Sequence, residues 1–233
     1  MCTLTWCAAG DGYDLFFNRD ERDSRAPESA PSHRTTAGGV RYLAPEDGDH
    51  RGTWLVLNAH GLTVCLLNDY PRGVVENGRQ SRGQLPLVCA GCTCATDVPR
   101  AFRDAVTLSD YAPFHLVAVD ATGASVHLRW DGRALHEALA PEFLTSSSFE
   151  PARVRAARAA RFAALAGRSA DALRTFHHGH DATAGAESVL MRRADAATRS
   201  VCAVRVRGTV RELVYEPVAR DGGTFGELVA LRV

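Results

Sequence analysis

The sequence predicts an α+β domain built of layers, with mostly antiparallel sheets. Three observations support this class. The first 70 residues contain two hairpins, in which apolar strands are joined by tight turns that contain glycine. Helical stretches and further strands then follow in the order helices, hairpin, helices, strands. No internal repeat and no linker divides the chain, so we expect residues 1–233 to form a single domain.

Alternation and turn residues indicate the two N-terminal hairpins. Residues 2–9 alternate as a strand, and the turn "GDGY" leads into a returning strand at 14–18. A second pair of strands, at 52–58 and 62–68, is joined by "AHG". Between the hairpins, the polar and proline-containing stretch 19–34 is expected to be a long loop.

Helices and further strands are expected beyond residue 80. The clearest helix is "PARVRAARAARFAALAG" at 151–167, because Pro151 suits its first turn and Gly167 its end. The other expected helices span 83–94, 98–107 and 170–178. The expected strands span 114–120, 125–131, 189–193, 200–207, 210–217 and 225–232, the last one preceded by a loop at 220–224.

Composition and charge argue against several functional classes. The 27 basic residues, all of them arginine, balance 27 acidic residues, so the net charge does not favour nucleic acid or an anionic membrane as partner. No stretch approaches ~20 apolar residues, and nothing resembles a secretory signal, so no membrane span is expected. The seven cysteines, without a secretory context, predict reduced thiols and a cytoplasmic protein. Enrichment in arginine and alanine is typical of a GC-rich, bacterial genome.

A cysteine directly after the initiator methionine is the first candidate for chemistry. We expect Met1 to be removed because cysteine is small, and Cys2 would then carry both a thiol and a free α-amine. Such an amine titrates near pH ~7.7–8. It can therefore act as a general base beside the nucleophile. The alternative is a buried structural cysteine in an edge strand, which position alone favours.

The strand predicted to pair with the first one ends in polar residues, "FFNRDERD" at 16–23. Across the hairpin, four of them would lie close to the chain end, namely Asn18, Arg19, Asp20 and Glu21. A carboxylate there can hold the α-ammonium, and an arginine can tune the thiolate. The alternative interpretation is an ordinary polar exit from a hairpin.

Seven short motifs occur in order along nearly the whole chain. They are the cysteine at position 2, "NRDE" at 18–21, "GTWL" at 52–55, "LLND" at 66–69, "SRGQL" at 81–85, "FHLVAVD" at 114–120 and "TRSVC" at 198–202. Together they resemble the NRDE family, which includes the transport-and-Golgi-organisation protein 2 group. "NRDE" alone is a weak signal, whereas the ordered set is specific.

This resemblance implies an N-terminal-nucleophile hydrolase related to penicillin V acylases and bile-salt hydrolases. It implies a four-layer αββα sandwich and hydrolysis of a small-molecule, non-peptide amide through an acyl-cysteine intermediate. By position, Cys2 is the implied nucleophile, Asp20 holds its α-amine, and Arg19 lies beside the thiol. Asn68 falls at the position of an oxyanion donor, and Arg199 at that of a site arginine.

One position departs from the family pattern. The family has an asparagine in a short "LSN" stretch, but this chain has "LTSSS" at 144–148, with Ser146 at the asparagine's place. If that asparagine completes the oxyanion hole, hydrolysis is weakened here. Ser146, Asn18 and Glu21 are candidates for substrate binding. The departure also keeps a second hypothesis open, a non-catalytic carrier of a hydrophobic ligand such as haem or a lipid.

Three further clusters are expected to be structural. "CAGCTC" places Cys89, Cys92 and Cys94 together, but without the second pair of ligands that a zinc site requires. "HHGH" at 177–180 is expected to form a solvated helix end. The arginines of the helix at 151–167 are expected to form a solvated face. We therefore predict no metal and no cofactor, and the sequence does not indicate an oligomeric state.

Overall fold

The computed structural model describes residues 1–71, 78–219 and 223–233. Within these residues, two antiparallel sheets share one apolar core, and helices cover the outer face of each sheet. The layers therefore run helix, sheet, sheet, helix. The αββα sandwich with mostly antiparallel sheets, implied by the family resemblance, is confirmed.

The first sheet contains the N-terminal hairpin. Its six strands, in their order across the sheet, are β10 (Phe143–Ser146), β1 (Cys2–Ala8), β2 (Gly12–Arg22), β11 (Ala196–Arg207), β12 (Val210–Pro217) and β13 (Val229–Arg232). The strands β1 and β2 pair from Cys2 opposite Arg19 to Ala8 opposite Tyr13, as the sequence predicts for a hairpin. The start of β1 is thus flanked on both sides, by β2 and by β10.

The second sheet follows the chain as a meander, in which each strand pairs with the next. Its seven strands are β3 (Ser29–Thr35), β4 (Arg41–Glu46), β5 (Leu55–Asn58), β6 (Thr63–Asn68), β7 (Phe114–Val119), β8 (Ser125–Trp130) and β9 (Leu135–Ala138). The central strands β5, β6 and β7 are buried along almost their whole length.

Alternate residues of each sheet build the core between the two sheets. Leu4 and Phe17 of the first sheet are fully buried there, together with Leu67 and Val117 of the second. Because successive side chains of a strand point to opposite faces, the residues between these point outward to the helices. Burying one such large apolar side chain stabilises the fold by about 1.5–3 kcal/mol.

Two helices pack on each outer face. The helices α1 (Leu85–Val88) and α2 (Val98–Ala105) cover the second sheet, and α3 (Pro151–Ala163) and α4 (Ala170–His177) cover the first. The start of α4 is capped by Ser169, whose hydroxyl accepts a hydrogen bond from the Ala172 amide. No helix of the described chain combines the length and apolar character needed to cross a membrane.

The prediction of a long loop at 19–34 is wrong. The strand β2 continues to Arg22, and β3 occupies much of the remainder. The edge strand β3 is mostly exposed and therefore lacks the alternation of apolar residues by which a half-buried strand is recognised. The strands β4, β9 and β10 were not predicted either, and both β9 and β10 are only four residues long.

Several boundaries also differ from the expectation. Within 83–94 only Leu85–Val88 is α-helical, between short 3₁₀ turns at 82–84 and 95–97, and α3 ends at Ala163. Residues 189–193 form no strand, although Arg192 makes an isolated bridge to Ala197. The last strand begins only at Val229. The expected loop at 220–224 lies partly outside the described residues.

Candidate active site

Cys2 begins β1 between two neighbouring strands. It pairs with Arg19 of β2 on one side and with Ser146 of β10 on the other. Directly opposed residues of antiparallel strands place their side chains on the same face. Cys2 packs against the core between the sheets, so all three side chains belong to the face that looks towards the second sheet.

A cavity of about 450 Å³ lies at Cys2, a size typical of small-molecule sites. Its walls come from both sheets and from the loops beside them. Among the candidate residues from the sequence, Cys2, Arg19, Asp20, Glu21 and Asn68 line the cavity. The other three, Asn18, Ser146 and Arg199, are not part of its lining.

The guanidinium of Arg19 is surrounded by carboxylates. Its Nη1 lies 2.5 Å from Glu28 Oε2, and its Nη2 lies 2.6 Å from Asp47 Oδ2. Glu21 Oε2 is 3.4 Å from the same Nη2, and the guanidinium stacks 4.5 Å above the ring of Trp54. Because three acidic side chains share this charge, Arg19 has little of it left to stabilise a thiolate at Cys2.

The Cys2 thiol is held in its neutral form. Burial raises the pKa of this thiol to about 11. The positive charges of the Met1 ammonium and Arg19 lower that pKa and the negative charges of Asp20 and Glu21 raise it, but burial has the largest effect. A thiol with this pKa is almost entirely protonated near pH 7, and only the thiolate is a strong nucleophile. Attack by Cys2 therefore requires a base that removes the proton.

Asp20 contacts the chain end through its backbone. Its amide N–H donates to the Met1 carbonyl oxygen at 3.0 Å, and its own carbonyl accepts from the Met1 ammonium, also at 3.0 Å. The carboxylate is used elsewhere. Oδ1 accepts from the Thr198 hydroxyl at 2.7 Å, and Oδ2 lies 3.1 Å from Arg158 Nη1. Asp20 thus joins the start of β1 to the ion pair beneath α3.

Arg158 corrects one expectation from the sequence. The arginines of this helix were expected to be solvated, but Arg158 is 0% exposed. Its guanidinium donates to the Thr3 hydroxyl at 2.6 Å and to the Ala186 carbonyl at 3.0 Å, besides its ion pair with Asp20. A polar patch on the outer face of the first sheet therefore binds α3 directly behind the strand that carries Cys2.

The structure directs Asn18 away from the cavity. Its Nδ2 donates to the carbonyl oxygens of His177 at 2.9 Å and Val189 at 3.0 Å, and its Oδ1 lies 2.6 Å from His177 Nδ1. His177 is fully buried, which lowers its pKa well below the usual value. The expectation that the whole "HHGH" stretch is solvated is therefore wrong at this residue. Asn18 fastens the end of α4 to β2.

Asn68 lies at the end of β6, and its Nδ2 donates to the Tyr70 hydroxyl at 3.2 Å. The next residue, Asp69, anchors this strand end. Its Oδ2 accepts from Arg129 Nε at 2.7 Å, and its Oδ1 lies 3.5 Å from His115 Nε2. Burial opposes the charge of Asp69, but these two partners outweigh it and lower the pKa of the carboxyl. The amide of Asn68 is thus carried by a well-anchored strand end.

Ser146 and Arg199 have opposite surroundings. The hydroxyl of Ser146 is buried, and within the described chain it has no hydrogen-bond partner. Such groups are rare in folded proteins and call for an explanation. Arg199 lies at an irregularity in the pairing of β11 with β2, and its Nη1 reaches Asp23 at 3.3 Å. Ser146 therefore has an unsatisfied hydroxyl but lies outside the cavity lining, and Arg199 is engaged with Asp23, also outside that lining.

The sequence reasoning missed four residues that build the site. Glu28 and Asp47 bind Arg19, and both come from stretches in which no strand or site was expected. Trp54 and Arg82 line the cavity and belong to the motifs "GTWL" and "SRGQL". Membership of those motifs was the signal that could have identified them.

These two motifs meet at the cavity through their glycines. The Thr53 amide donates to the Gly83 carbonyl at 2.8 Å. A Cβ on Gly52 would stand 2.6 Å from the Gly83 carbonyl carbon, closer than real Cβ contacts. Glycine is therefore required at position 52 to let the two backbones approach.

The two metal-ligand-like clusters are not arranged as metal sites. Among the residues that the structure describes, no group of three or more His, Cys, Asp or Glu side chains is positioned to hold a metal ion. Cys89 and Cys92 are buried against the helices of the second sheet. All seven cysteines are free thiols.

Comparison with solved structures identifies the same fold in three proteins named as an acylase, a hydrolase and an amidase. Penicillin V acylase from Agrobacterium tumefaciens superposes with a TM-score of 0.55 at 12% identity, covering 93% of this chain and 83% of that one. A variant of conjugated bile acid hydrolase from Clostridium perfringens gives 0.59 at 12% identity, covering 99% and 92%. The N-acylethanolamine-hydrolyzing acid amidase ortholog of Caenorhabditis elegans gives 0.59 at 14% identity, covering 88% and 92%. At such low identity, the likeness establishes the N-terminal-nucleophile hydrolase fold and not an activity.

Comparison of the sequence with protein families assigns the chain more closely. The comparison with curated proteins gives no match. The model of the family described as Transport and Golgi organisation 2 matches residues 1–166, well over half of the sequence. The matched region includes Cys2, the "NRDE" stretch, Asn68 and Ser146. The chain therefore belongs to the Transport and Golgi organisation 2 family.

Proposed function

We propose that this protein hydrolyses a non-peptide amide bond of a small molecule through an acyl-Cys2 intermediate. The observation that carries the proposal is the position of Cys2 in a cavity of about 450 Å³ that Asn68 also lines. Further support comes from the fold shared with proteins named as an acylase, a conjugated bile acid hydrolase and an acid amidase.

The first step needs a base, and we assign it to the α-amine of Cys2 after removal of Met1. In the chain that still carries Met1, burial raises the pKa of the thiol to about 11, whereas a free α-amine titrates near pH ~7.7–8. The amine takes the thiol proton as the sulfur forms a bond to the amide carbon. We assign positioning of that amine to Asp20, because its peptide group contacts the carbonyl and the ammonium of Met1 at 3.0 Å each and so borders the position where removal of Met1 frees the amine.

Asn68, which lines the cavity, is the proposed oxyanion donor. Collapse of the tetrahedral intermediate breaks the C–N bond, and the departing amine takes its proton from the α-ammonium. Water then attacks the thioester, with the α-amine again as base, and releases the carboxylic acid. One hydrogen bond to such an oxyanion contributes about 2.7–4 kcal/mol. Ser146 takes the place of the family asparagine, but its buried hydroxyl is not part of the cavity lining, so we assign it no hydrogen bond to the oxyanion.

The other candidate residues act one step back from the reacting atoms. Arg19 lies beside Cys2, and Glu21 helps to hold its guanidinium. Asn18 and Arg199 contact His177 and Asp23, respectively, so we assign both to positioning of the strands and not to the reaction.

The decisive experiment combines intact mass spectrometry with a thiol-reactive acyl probe. We expect a mass lacking Met1 and rapid acylation of Cys2, which Cys2→Ala abolishes. Cys7→Ala is the matched control, because Cys7 lies on the same strand but packs against the helices on its other face. Retention of Met1, or labelling of Cys2 no faster than that of the other six cysteines, would rule out the mechanism.

A haem titration, added to the probe experiment, separates hydrolysis from the carrier hypothesis. The "HHGH" stretch was one motive for a haem carrier, but His177 is buried in hydrogen bonds to Thr5 and Asn18. A Soret shift on haem titration that persists in Cys2→Ala, together with absent probe labelling, would favour a carrier. Probe labelling without such a shift would favour the hydrolase.

A further inference from the structure

We propose that the cavity contains a subsite for an anionic oxygen group, a carboxylate or a phosphate, and that Arg82 forms it. This inference rests on the function proposed above, because it makes the amide cleaved at Cys2 an anionic one.

Among the residues that the structure describes, five arginines line the cavity, and three of them are paired with acidic side chains. Arg19 binds Glu28 and Asp47, Arg25 lies 2.9 Å from both Asp47 and Asp49, and Arg193 lies 2.7 Å from Asp195. Arg82 and Arg22 differ, because no carboxylate of the described residues lies within ion-pair distance of either one. Their charges are available to a ligand.

Arg82 is the better placed of these two. Arg22 is exposed at the end of β2, where solvent screens its charge, whereas Arg82 is half-buried. Arg82 Nη1 donates to the Pro113 carbonyl at 2.8 Å, and the same oxygen accepts from the Asp69 amide at 3.0 Å. One carbonyl thus joins Arg82 to the strand end that carries Asn68, the proposed oxyanion donor.

The loop that carries Arg82 is held in place before any ligand arrives. The carbonyl of the next residue, Gly83, accepts from the Thr53 amide at 2.8 Å, and the backbones of Gly52 and Gly83 are in close contact. These contacts order the backbone at Arg82, and the hydrogen bond to Pro113 orders its side chain, so less conformational freedom is lost on binding, which favours affinity.

The chemistry of the guanidinium selects the ligand. Its planar fork matches the two oxygens of a carboxylate or phosphate, and one of its nitrogens is used by Pro113 while the others have no partner in the described chain. A neutral amide would leave this half-buried cation uncompensated. An amide that carries a negatively charged group would compensate the charge of Arg82, so we expect anionic acyl amides to bind more tightly than neutral ones.

Binding to the full-length Cys2→Ala protein tests the subsite without turnover. Three ligands with one acyl chain are compared by calorimetry, namely N-octanoylglycine, N-octanoyl phosphoethanolamine and neutral N-octanoylethanolamine. We expect at least one anion to bind about tenfold or more tightly than the neutral amide, with an advantage that declines as salt is added. The better anion identifies carboxylate or phosphate as the group recognised.

Variants at position 82 test whether Arg82 causes the tighter binding of the anionic ligands. Arg82→Gln should remove the preference for the anion, Arg82→Lys should keep part of it, and Arg79→Gln is the matched control, because Arg79 is exposed and does not line the cavity. Circular dichroism verifies that each variant is folded. Equal binding of the three ligands, no binding of either anion, or an equal loss in Arg79→Gln would overturn the subsite.

Turnover by the wild-type protein distinguishes failure of this inference from failure of the proposed function. Anion preference in binding without hydrolysis of any of the three amides would contradict the hydrolase and keep the subsite. Hydrolysis of all three with equal kcat/KM, unaffected by Arg82→Gln, would contradict the subsite and keep the hydrolase.

Discussion

The ion pair between Arg158 and Asp20 offers the sharpest test of how the site is supported. Both side chains are 0% exposed, and Arg158 also donates to Thr3. The substitution Arg158→Met keeps an unbranched apolar side chain of similar length but removes the charge. Asp20 would then retain only its hydrogen bond from Thr198. A buried carboxylate would be left without a counter-charge.

The magnitude follows from the burial of both partners. Removing one partner of a buried pair typically costs about 3–5 kcal/mol, because the remaining charge cannot be rehydrated. In a domain of this size, 1 kcal/mol corresponds to about 2–4 °C in Tm, so we expect Arg158→Met to lower Tm by roughly 6–20 °C. Replacing both groups, in Asp20→Asn with Arg158→Met, should cost less than the sum of the two single variants.

Urea denaturation of the four proteins in this double-mutant cycle measures the coupling. Arg155→Met is the matched control, since Arg155 lies on the same helix but is exposed, and its cost should stay within about 0.5 kcal/mol. A loss below about 1 kcal/mol for Arg158→Met, or strictly additive effects of the two changes, would refute a role for the pair in holding α3 to the sheet.

Three further predictions concern Cys2 and two residues next to the cavity lining, Asp69 and Gly52. Burial raises the pKa of the Cys2 thiol to about 11, so the thiolate fraction should rise about tenfold per pH unit from pH 7 to 10. In a protein whose α-amine is blocked by an uncleaved N-terminal extension, the rate of alkylation of Cys2 by iodoacetamide should follow this rise. A rate that reaches a plateau below pH 8 would contradict the raised pKa. Asp69→Asn should cost about 2 kcal/mol at pH 7, measured by urea denaturation. Folding lowers the pKa of the Asp69 carboxyl, so its contribution to stability is complete above the pKa of the unfolded state and is lost as the pH falls. The difference in free energy of unfolding between Asp69→Asn and wild type should therefore shrink below about pH 4. An unchanged difference at that pH would point to another cause. Gly52→Ala should destabilise by about 1–3 kcal/mol through its contact with Gly83, whereas Gly91→Ala, with open space around it, should be nearly neutral; equal effects would exclude the contact as the reason.

Local patterns were sufficient for the part of the site that depends on the first hairpin. Alternation in residues 2–9 and 14–18 sets the pairing of β1 with β2, and that pairing places Arg19 opposite Cys2. The same pattern defines the inner face of each sheet and so most of the core. Asn68 was identified from its motif, and it lines the cavity with Cys2.

The remainder depended on contacts between distant segments, which no local pattern contains. Glu28 and Asp47 reach Arg19 from a polar stretch whose edge strand carries no apolar alternation. Arg158 lies on a helix rich in arginine, and nothing in the spacing of those arginines marks the one that meets Asp20. Arginine is usually solvated, so a fully buried arginine becomes recognisable only when its carboxylate partner is known.

The alternation of β2 explains why four polar residues occur together in "NRDE". Asn18 and Asp20 point to the outer face, where they bind His177 and Arg158 and fix both helices of that layer. Arg19 and Glu21 lie on the other face and line the cavity, which Asp20 also borders while its carboxylate points outward. The same strand thus supports the helices on one face and forms the polar wall beside Cys2 on the other. A shift of one residue in its register would exchange the outward-facing and cavity-facing side chains, so the two roles are coupled. Substitutions at positions 18 and 20 should therefore act first on stability, and those at 19 and 21 on the reactivity of Cys2.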